Sequence, residues 1–208
     1  MIVRSLPQHK SSIFLTFDDG PDPISTPVVL DLLRREQVQA TFFVIAEKAR
    51  QSPDLLVRIR DEGHAVGNHS LDHRYRNFFR SQRGMGRWID QATEVLRGLG
   101  LESSVGFRPP AGIVTPPLVR CLTSQGEPLV LWNERFYDAV LPWSEQKAKR
   151  SAQRLQPGSI VLLHDRQGAN RLPNFCTVLS AYIHALRERK FDFAVLRRQD
   201  LVAASRFI

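Results

Sequence analysis

The chain has few cysteines and no long apolar run, and each of these features argues against certain classes of protein. Its two cysteines, Cys121 and Cys176, lie far apart without the spacing of a metal site, so we expect free thiols in the core, which suit a reducing compartment. No apolar run approaches the roughly 18 residues that cross a bilayer, and residues 1–12 lack the apolar stretch of a signal peptide. We therefore expect no transmembrane segment and a cytoplasmic location, with an exported protein whose leader has been trimmed as the alternative.

Acidic residues are fewer than basic residues. There are 21 aspartates and glutamates against 29 lysines and arginines, which gives a net charge of +8. Most of the excess is spread along predicted helices, but one dense block contains Arg74, Arg76, Arg80, Arg83 and Arg87. Such charge is typical of solvated surfaces, and contact with anionic surfaces such as lipid head groups, glycans or nucleic acid is the alternative. Because no nucleic-acid-binding motif accompanies the charge, we expect no nucleic-acid partner.

Repeats, linkers and low-complexity segments are absent, so residues 1–208 are interpreted as a single domain. Buried-type strands alternate with amphipathic helices, which predicts an α/β fold whose parallel sheet closes into a (β/α) barrel. The expected strands are residues 13–16, 40–45, 65–68, 105–107, 129–132, 159–163 and 191–195. The expected helices are residues 26–37 with Thr26 as cap, 53–63, 88–99, 115–126, 144–155 and 173–189.

Polar residues follow several of the predicted strands. Asp18 and Asp19 end the first one, and paired carboxylates there are costly to bury unless a metal, a cation or a reaction compensates them. A simple turn is the alternative for such a pair. Polar or charged residues also follow the later strands. They are His69, Arg108, Asp138 and His164. In (β/α) barrels, catalytic side chains come from the carboxyl ends of the strands, so these residues are expected to meet.

Two histidines, His69 and His73, are four residues apart. On a helical turn they would lie on one face, close enough to share an ion, although such a pair is often incidental. A carboxylate from another strand end would complete a set of two histidines and one acid. Three protein ligands with open positions are typical of a catalytic metal site, for which Zn²⁺ is the first candidate and other divalent ions are alternatives.

Four stretches, in this order, resemble the motifs of the polysaccharide deacetylases, also called NodB-homology enzymes or carbohydrate esterase family 4. They are residues 16–21 (TFDDGP), 67–73 (GNHSLDH), 107–110 (FRPP) and 158–165 (GSIVLLHD). The resemblance extends from about residue 12 to residue 195. It implies a distorted (β/α) barrel of the NodB-homology type. It also implies metal-dependent hydrolysis that removes N-acetyl, formyl or other acyl groups from amino sugars in oligo- or polysaccharides.

The resemblance also implies roles for individual residues. The metal ligands would be Asp19, His69 and His73. The acid–base residues would be Asp18 as general base, Arg108 as its partner, His164 as general acid and Asp138 as the partner of His164. The substrate contacts would be Pro110, Ala111, Trp132 and Leu162, with the Ala111 N–H facing the developing oxyanion and Leu162 lining the site of the acyl methyl group.

The chain departs from the family pattern in two places. The fourth motif usually resembles Trp-x-x-Asp-x-x-Asp-Trp, but here Arg135 replaces the first Asp and Ala139 replaces the second Trp. Trp143 is the candidate to supply the missing aromatic wall. Ala111 stands where the third motif commonly has an aromatic residue. These changes leave the sugar and the acyl group open, and they keep a catalytically silent glycan-binding protein as the alternative to an enzyme.

Overall fold

The computed structural model describes residues 2–204. The strands in this part are β1 (Ile2–Val3), β2 (Ser12–Asp18), β3 (Thr41–Val44), β4 (Ala65–Asn68), β5 (Leu129–Val130), β6 (Glu134–Arg135), β7 (Ile160–His164) and β8 (Asp192–Phe193). The α-helices are α1 (Ser25–Arg35), α2 (Ala46–Gln51), α3 (Pro53–Asp61), α4 (Gln82–Gly98), α5 (Pro116–Ser124), α6 (Glu145–Arg154), α7 (Leu172–Glu188) and α8 (Arg198–Ala204). Short 3-10 helices cover Tyr75–Phe79 and Pro110–Gly112.

The strands form a parallel sheet in the order β4-β3-β2-β7-β6, with β8 also paired to β2. The register aligns Asp18, the last residue of β2, with Phe43 on one side and His164 on the other. Parallel strands have their carboxyl ends at the same edge. The polar residues that end β2, β4 and β7 therefore lie at one edge of the sheet, as the sequence predicts.

A single residue and one continuous segment close the sheet into a distorted barrel. Phe107 forms isolated bridges with both Asn68 of β4 and Leu129 of β5. Residues 129–135 then continue from β5 into β6, which pairs with β7. The Asn133 N–H donates to the Ile160 carbonyl at 3.2 Å on the way. The predicted barrel is confirmed, with its weakest seam at Phe107.

Strand β2 is central because both of its faces are covered. Every residue from Ile13 to Asp18 is buried, and the ring of Phe17 stacks on that of Phe42 with 5.0 Å between centroids. A strand covered on both faces is expected to show the continuous apolar run that the sequence has here. Trp143 belongs to this core as well, since it is buried with Phe136 and Tyr182 around it. Its expected role as an aromatic wall of the site is therefore wrong.

Other local predictions also need correction. Residues 105–107 form no strand beyond the bridge at Phe107, because Pro109 and Pro110 follow and have no N–H to continue a ladder. Thr26 does not cap α1. It lies inside the first turn of the helix, and the Asp22 carboxylate accepts hydrogen bonds from the N–H groups of Ile24 and Ser25.

Four short strands and α-helices were absent from the prediction: β1, α2, β6 and α8. Elements of this length carry little periodicity of their own, so neighbouring structure determines them. Both cysteines are free thiols, as expected, but only Cys121 is buried, whereas Cys176 is partly exposed. No helix within residues 2–204 has the length and apolarity that a membrane crossing requires.

Candidate metal and acid–base site

A cavity of about 830 Å³ opens at the edge of the sheet where β2, β4 and β7 end. Among the residues singled out in the sequence, it is lined by Asp18, Asp19, His69, His73, Ala111, Trp132, Leu162 and His164. Arg108 and Asp138 are fully buried and support lining residues from behind. Pro110 is buried and does not line the cavity.

The three expected metal ligands converge. Asp19 Oδ1 lies 3.4 Å from His69 Nε2 and 3.0 Å from His73 Nε2, and one donor atom of each residue lies within 4.8 Å of the other two. The predicted helical turn between the histidines is wrong, because Ser70 and His73 adopt positive φ values of 76° and 56°. These irregular conformations, rather than a helical repeat, bring the two imidazoles to one carboxylate.

The surroundings prepare this group to hold a cation. His69 Nδ1 lies 2.8 Å from the carbonyl oxygen of Arg108, which can only accept, so Nδ1 carries a proton and Nε2 is the nitrogen directed at Asp19. Burial opposes the charged form of Asp19. Hydrogen bonds with His69 and His73 outweigh it and hold the pKa of the Asp19 carboxyl well below its usual range. Lys48 Nζ donates to the Asp19 carbonyl at 2.6 Å and fixes its backbone.

Asp18 is held by a buried guanidinium. Arg108 Nη1 donates to Asp18 Oδ1 at 2.8 Å and to Thr16 Oγ1 at 2.7 Å. The Arg108 guanidinium also lies 3.9 Å from the ring centroid of Phe43. Because Arg108 engages Oδ1, Oδ2 is directed toward the cluster of Asp19, His69 and His73, and it lies 3.8 Å from His69 Nε2. One oxygen of Asp18 is therefore anchored while the other faces the cavity.

His164 has its own carboxylate partner. Asp138 Oδ1 lies 3.0 Å from His164 Nδ1, and Asp138 Oδ2 accepts from the His164 backbone N–H at 2.8 Å. Gln167 Nε2 donates to the same Oδ2 and to the His164 carbonyl, which fixes the pair. Burial opposes the imidazolium, but Asp138, with the charges of Asp18 and Asp19, outweighs burial and raises the pKa of His164 to about 9. At neutral pH the ring is therefore charged, and its Nε2–H is free of protein partners among the described residues.

Opposite these groups, Ala111 offers a backbone donor. It has a φ of 54°, and its N–H makes no hydrogen bond within residues 2–204. Trp132 is half-buried and packs so close to Gly112 that a Cβ there would come within 2.6 Å of the indole. Leu162, at 6% exposure, supplies an apolar part of the lining.

The cavity also contains residues that sequence reasoning missed. They are Ile45, Glu47, Lys48, Gln51, Asp72, Tyr75, Arg135, Tyr137, Ala139, Val140 and Arg166. Arg135 and Ala139 were noted only as departures from a motif. Tyr137 and Val140, both largely exposed, line the cavity, whereas Trp143 does not. Lys48 and Gln51 lie on α2, and no sequence signal located that helix.

The arginine block lies beside the site. All five of its arginines are exposed, and Tyr75, which lies between two of them, lines the cavity. Trp88 and Asn77 each donate a hydrogen bond to Asp72 Oδ1, which attaches this segment to the loop of His73.

Comparison with known proteins agrees with this geometry. The family model described as polysaccharide deacetylase matches residues 5–127. A peptidoglycan-N-acetylglucosamine deacetylase of Bacillus cereus is 30% identical over 197 residues, covering 94% of this chain and 91% of that protein. A chitooligosaccharide deacetylase of Sinorhizobium fredii is 34% identical over 201 residues, covering 91% of this chain and 93% of its own.

Solved structures show the same relationship. The Bc1960 peptidoglycan N-acetylglucosamine deacetylase superposes with a TM-score of 0.84 at 30% identity, covering 94% of this chain and 90% of that one. A family 4 carbohydrate esterase from Streptomyces lividans gives 0.81 at 27% identity, covering 91% and 94%. A CE4 family pseudoenzyme from Bacillus anthracis, at 20% identity and a TM-score of 0.82, has the same fold and covers 97% and 69%. Fold, motif order and similarity agree, and the chain belongs to the polysaccharide deacetylase family.

Proposed function

We propose that this protein is a metal-dependent hydrolase that removes an N-acetyl, formyl or related acyl group from an amino sugar. The observation that carries the proposal is that three kinds of chemical group line or directly support one cavity. They are the cluster of Asp19 with two histidines, the Asp18–Arg108 pair and the His164–Asp138 pair. The deacetylase names of the relatives support N-acetylated sugars as the substrate class.

The residues present fit a divalent cation. Two imidazole nitrogens and one carboxylate oxygen form a donor set suited to Zn²⁺, and the adjoining cavity leaves space for further ligands. The orientation of His69 by the Arg108 carbonyl is the support that metal-binding histidines usually have. When bound, such a cation supplies Lewis acidity to an acyl carbonyl and makes water a better nucleophile.

The chain's own groups then divide the proton transfers. Asp18 Oδ2, held in place through Oδ1, accepts the proton of the attacking water. The unpaired N–H of Ala111 donates to the carbonyl oxygen as negative charge develops on it. His164, kept as imidazolium by Asp138, gives its proton to the departing sugar nitrogen. This proton is needed because an unprotonated nitrogen is a poor leaving group. Leu162 contacts the acyl methyl group.

The test combines elemental analysis of the purified protein with release of acetate or formate from N-acetylated and N-formylated sugars. Release should depend on a divalent metal, stop on chelation and return when the metal is restored. His73→Ala should lower metal binding measured by calorimetry, whereas His184→Ala, an exposed histidine away from the cavity, should not. Full activity in the presence of a strong chelator would contradict the metal-dependent mechanism.

A catalytically silent glycan-binding protein is the second candidate. It is favoured by the altered fourth motif, where Arg135 and Ala139 line the cavity, and by Ala111 in place of an aromatic residue. The complete set of Asp18, Asp19 and the three histidines opposes it. Metal-loaded protein that binds sugars but releases no acyl group from a broad panel would support this second candidate.

A further inference from the structure

A second cavity of about 370 Å³ adjoins the main one. The two share Ala111, Trp132 and Arg135 in their linings, and the second adds Arg4 and Asn133. A sugar chain that places one residue at the metal cluster can therefore extend past Trp132 toward Arg4. Arg135 lies at the junction, where it would contact the neighbouring sugar as well as the reacting one.

Three guanidinium groups along this groove have no acidic partner within residues 2–204. Arg4, Arg135 and Arg166 are all exposed, and none forms an ion pair or a side-chain hydrogen bond. Arg135 has one ordering contact, because its guanidinium lies 4.3 Å from the ring centroid of Tyr137. Stacking of this kind holds the planar group in one orientation and leaves its edge free to bind an anion.

The carboxylates of the cavity do not cancel this charge. Asp18 is paired with Arg108, Asp19 faces the two metal-binding histidines, and Asp72 Oδ2 lies 3.4 Å from Arg74 Nε. Among the described lining residues, Glu47 is the carboxylate left without a side-chain partner. Three free guanidiniums against one free carboxylate give the groove an excess of positive charge, which attracts anionic ligands and repels cationic ones.

We propose that the substrate is an anionic glycan. Resting on the proposed function, this assigns the groove to an N-acylated amino-sugar chain that carries a carboxylate or a phosphate close to the reacting sugar. Arg135 is the principal specificity-determining residue, with Arg4 and Arg166 on either side. Guanidinium groups suit both oxyanions because two parallel N–H groups can donate to two oxygens. Lys48 also lines the cavity, but its ammonium donates to the Asp19 carbonyl, so we do not assign it to the arginines that bind the anion.

The first test measures binding without turnover. Asp18→Asn protein is titrated by calorimetry at low salt with three tetrasaccharides of equal length. One is neutral N-acetylated chitotetraose, one is a peptidoglycan-type chain with lactyl carboxylates on alternate sugars, and one is phosphorylated chitotetraose. We expect tighter binding of an anionic chain by on the order of tenfold, which corresponds to about 1.4 kcal/mol. The carboxylate and phosphate arms show which oxyanion is preferred.

The second test removes the charges. In the same background, replacing Arg4, Arg135 and Arg166 with Gln should abolish the preference, which is measured as the ratio of the affinities for the anionic and the neutral chains. Arg150→Gln removes an exposed charge that lines neither cavity, so this control should keep the preference. Added salt should weaken binding of the anionic chains only, since screening acts on the charge contribution.

The outcomes separate this inference from the proposed function. Equal affinity for neutral and anionic chains, no binding of any chain, or a preference that survives the triple substitution would overturn the inference. Acyl release by wild-type protein is measured in parallel on the same chains. If no chain releases an acyl group but the charge-dependent preference is present, the proposed hydrolysis fails while the anionic glycan remains the ligand of the groove.

Discussion

Arg108 and Asp18 form an ion pair in the interior of the protein, with 2.8 Å between Nη1 and Oδ1. Neither side chain is more than slightly exposed. Because each charge removed from water needs a partner, this pair couples the stability of the barrel to the position of the proposed base. Substitutions at the two positions should therefore have different and separable effects.

Asp18→Asn should abolish most turnover and leave the metal in place. The amide has the size of the carboxylate and can still accept from Arg108, but it cannot take a proton from water. Because the buried guanidinium loses its counter-charge, the variant should also lose some stability. We expect kcat to fall by about 10²- to 10⁴-fold, the usual contribution of a general base. Elemental analysis should give unchanged metal content. Asp31→Asn, at an exposed ion pair on α1, is the control and should keep normal turnover. Wild-type kcat in Asp18→Asn would exclude Asp18 as the base.

Arg108→Met should destabilise the fold itself. The substitution leaves Asp18 buried without its cation, and breaking such a pair from one side costs about 3–5 kcal/mol. Urea unfolding monitored by circular dichroism measures the loss. In the double variant Asp18→Asn, Arg108→Met no buried charge is stranded, so part of the stability should return. If both Arg108→Met proteins were equally unstable, the cost would come from lost packing of the guanidinium against Phe43 and not from the charge.

Asp138→Asn should change the pH dependence of the reaction. The raised pKa of His164, about 9, keeps the ring protonated in neutral solution and depends on the Asp138 carboxylate. A bound divalent cation repels the imidazolium, so the alkaline limb of kcat/KM in the metal-loaded enzyme should lie at or below pH 9. In Asp138→Asn the limb should move down by at least one pH unit. A limb that stays in place would assign the ionisation to another group.

The sequence and the structure agree best where one strand ends beside another. Asp18, His69 and His164 could be placed at one edge because strand ends are readable from apolar runs, and parallel pairing then fixes their proximity. The backbone conformation of the loop that follows a strand could not be predicted from apolar runs. His69 and His73 meet through positive φ values at Ser70 and His73, which spacing by fours does not encode.

Residues brought in from distant parts of the chain were the hardest to predict. Lys48 reaches the Asp19 carbonyl from a six-residue helix, and Arg135 lines the cavity from a two-residue strand. Neither element is long enough to show a period. Thr26 was predicted as a helix cap from local sequence, yet its hydroxyl is engaged by Asp165, 139 residues away. Contacts of this range depend on the closed barrel and have no local signal.

Asp165→Asn should stabilise the protein above neutral pH. Asp165 is fully buried, accepts from Thr26 Oγ1 at 2.5 Å through Oδ2, and has no partner for Oδ1. Gly20 allows this approach, since a Cβ there would come within 2.0 Å of Oδ2. Burial raises the pKa of Asp165 to about 7, although the hydrogen bond from Thr26 opposes it. The folded state therefore favours the protonated acid.

The sign of the effect follows from this raised pKa. Protonation of Asp165 favours the folded state fully at pH values below about 4, the ordinary pKa of an aspartate, and this contribution is lost as the pH rises to about 7. Asn needs no proton, so the stability of Asp165→Asn relative to wild type should increase from pH 4 to 7 and stay constant above. The increase should be a few kcal/mol at most. Urea unfolding of metal-free protein at pH 5 and pH 8 measures it, with Asp61→Asn, an exposed position on α3, as the pH-independent control. A difference that is the same at both pH values would mean that Asp165 is already ionised at pH 5, with a partner for Oδ1 supplied by solvent.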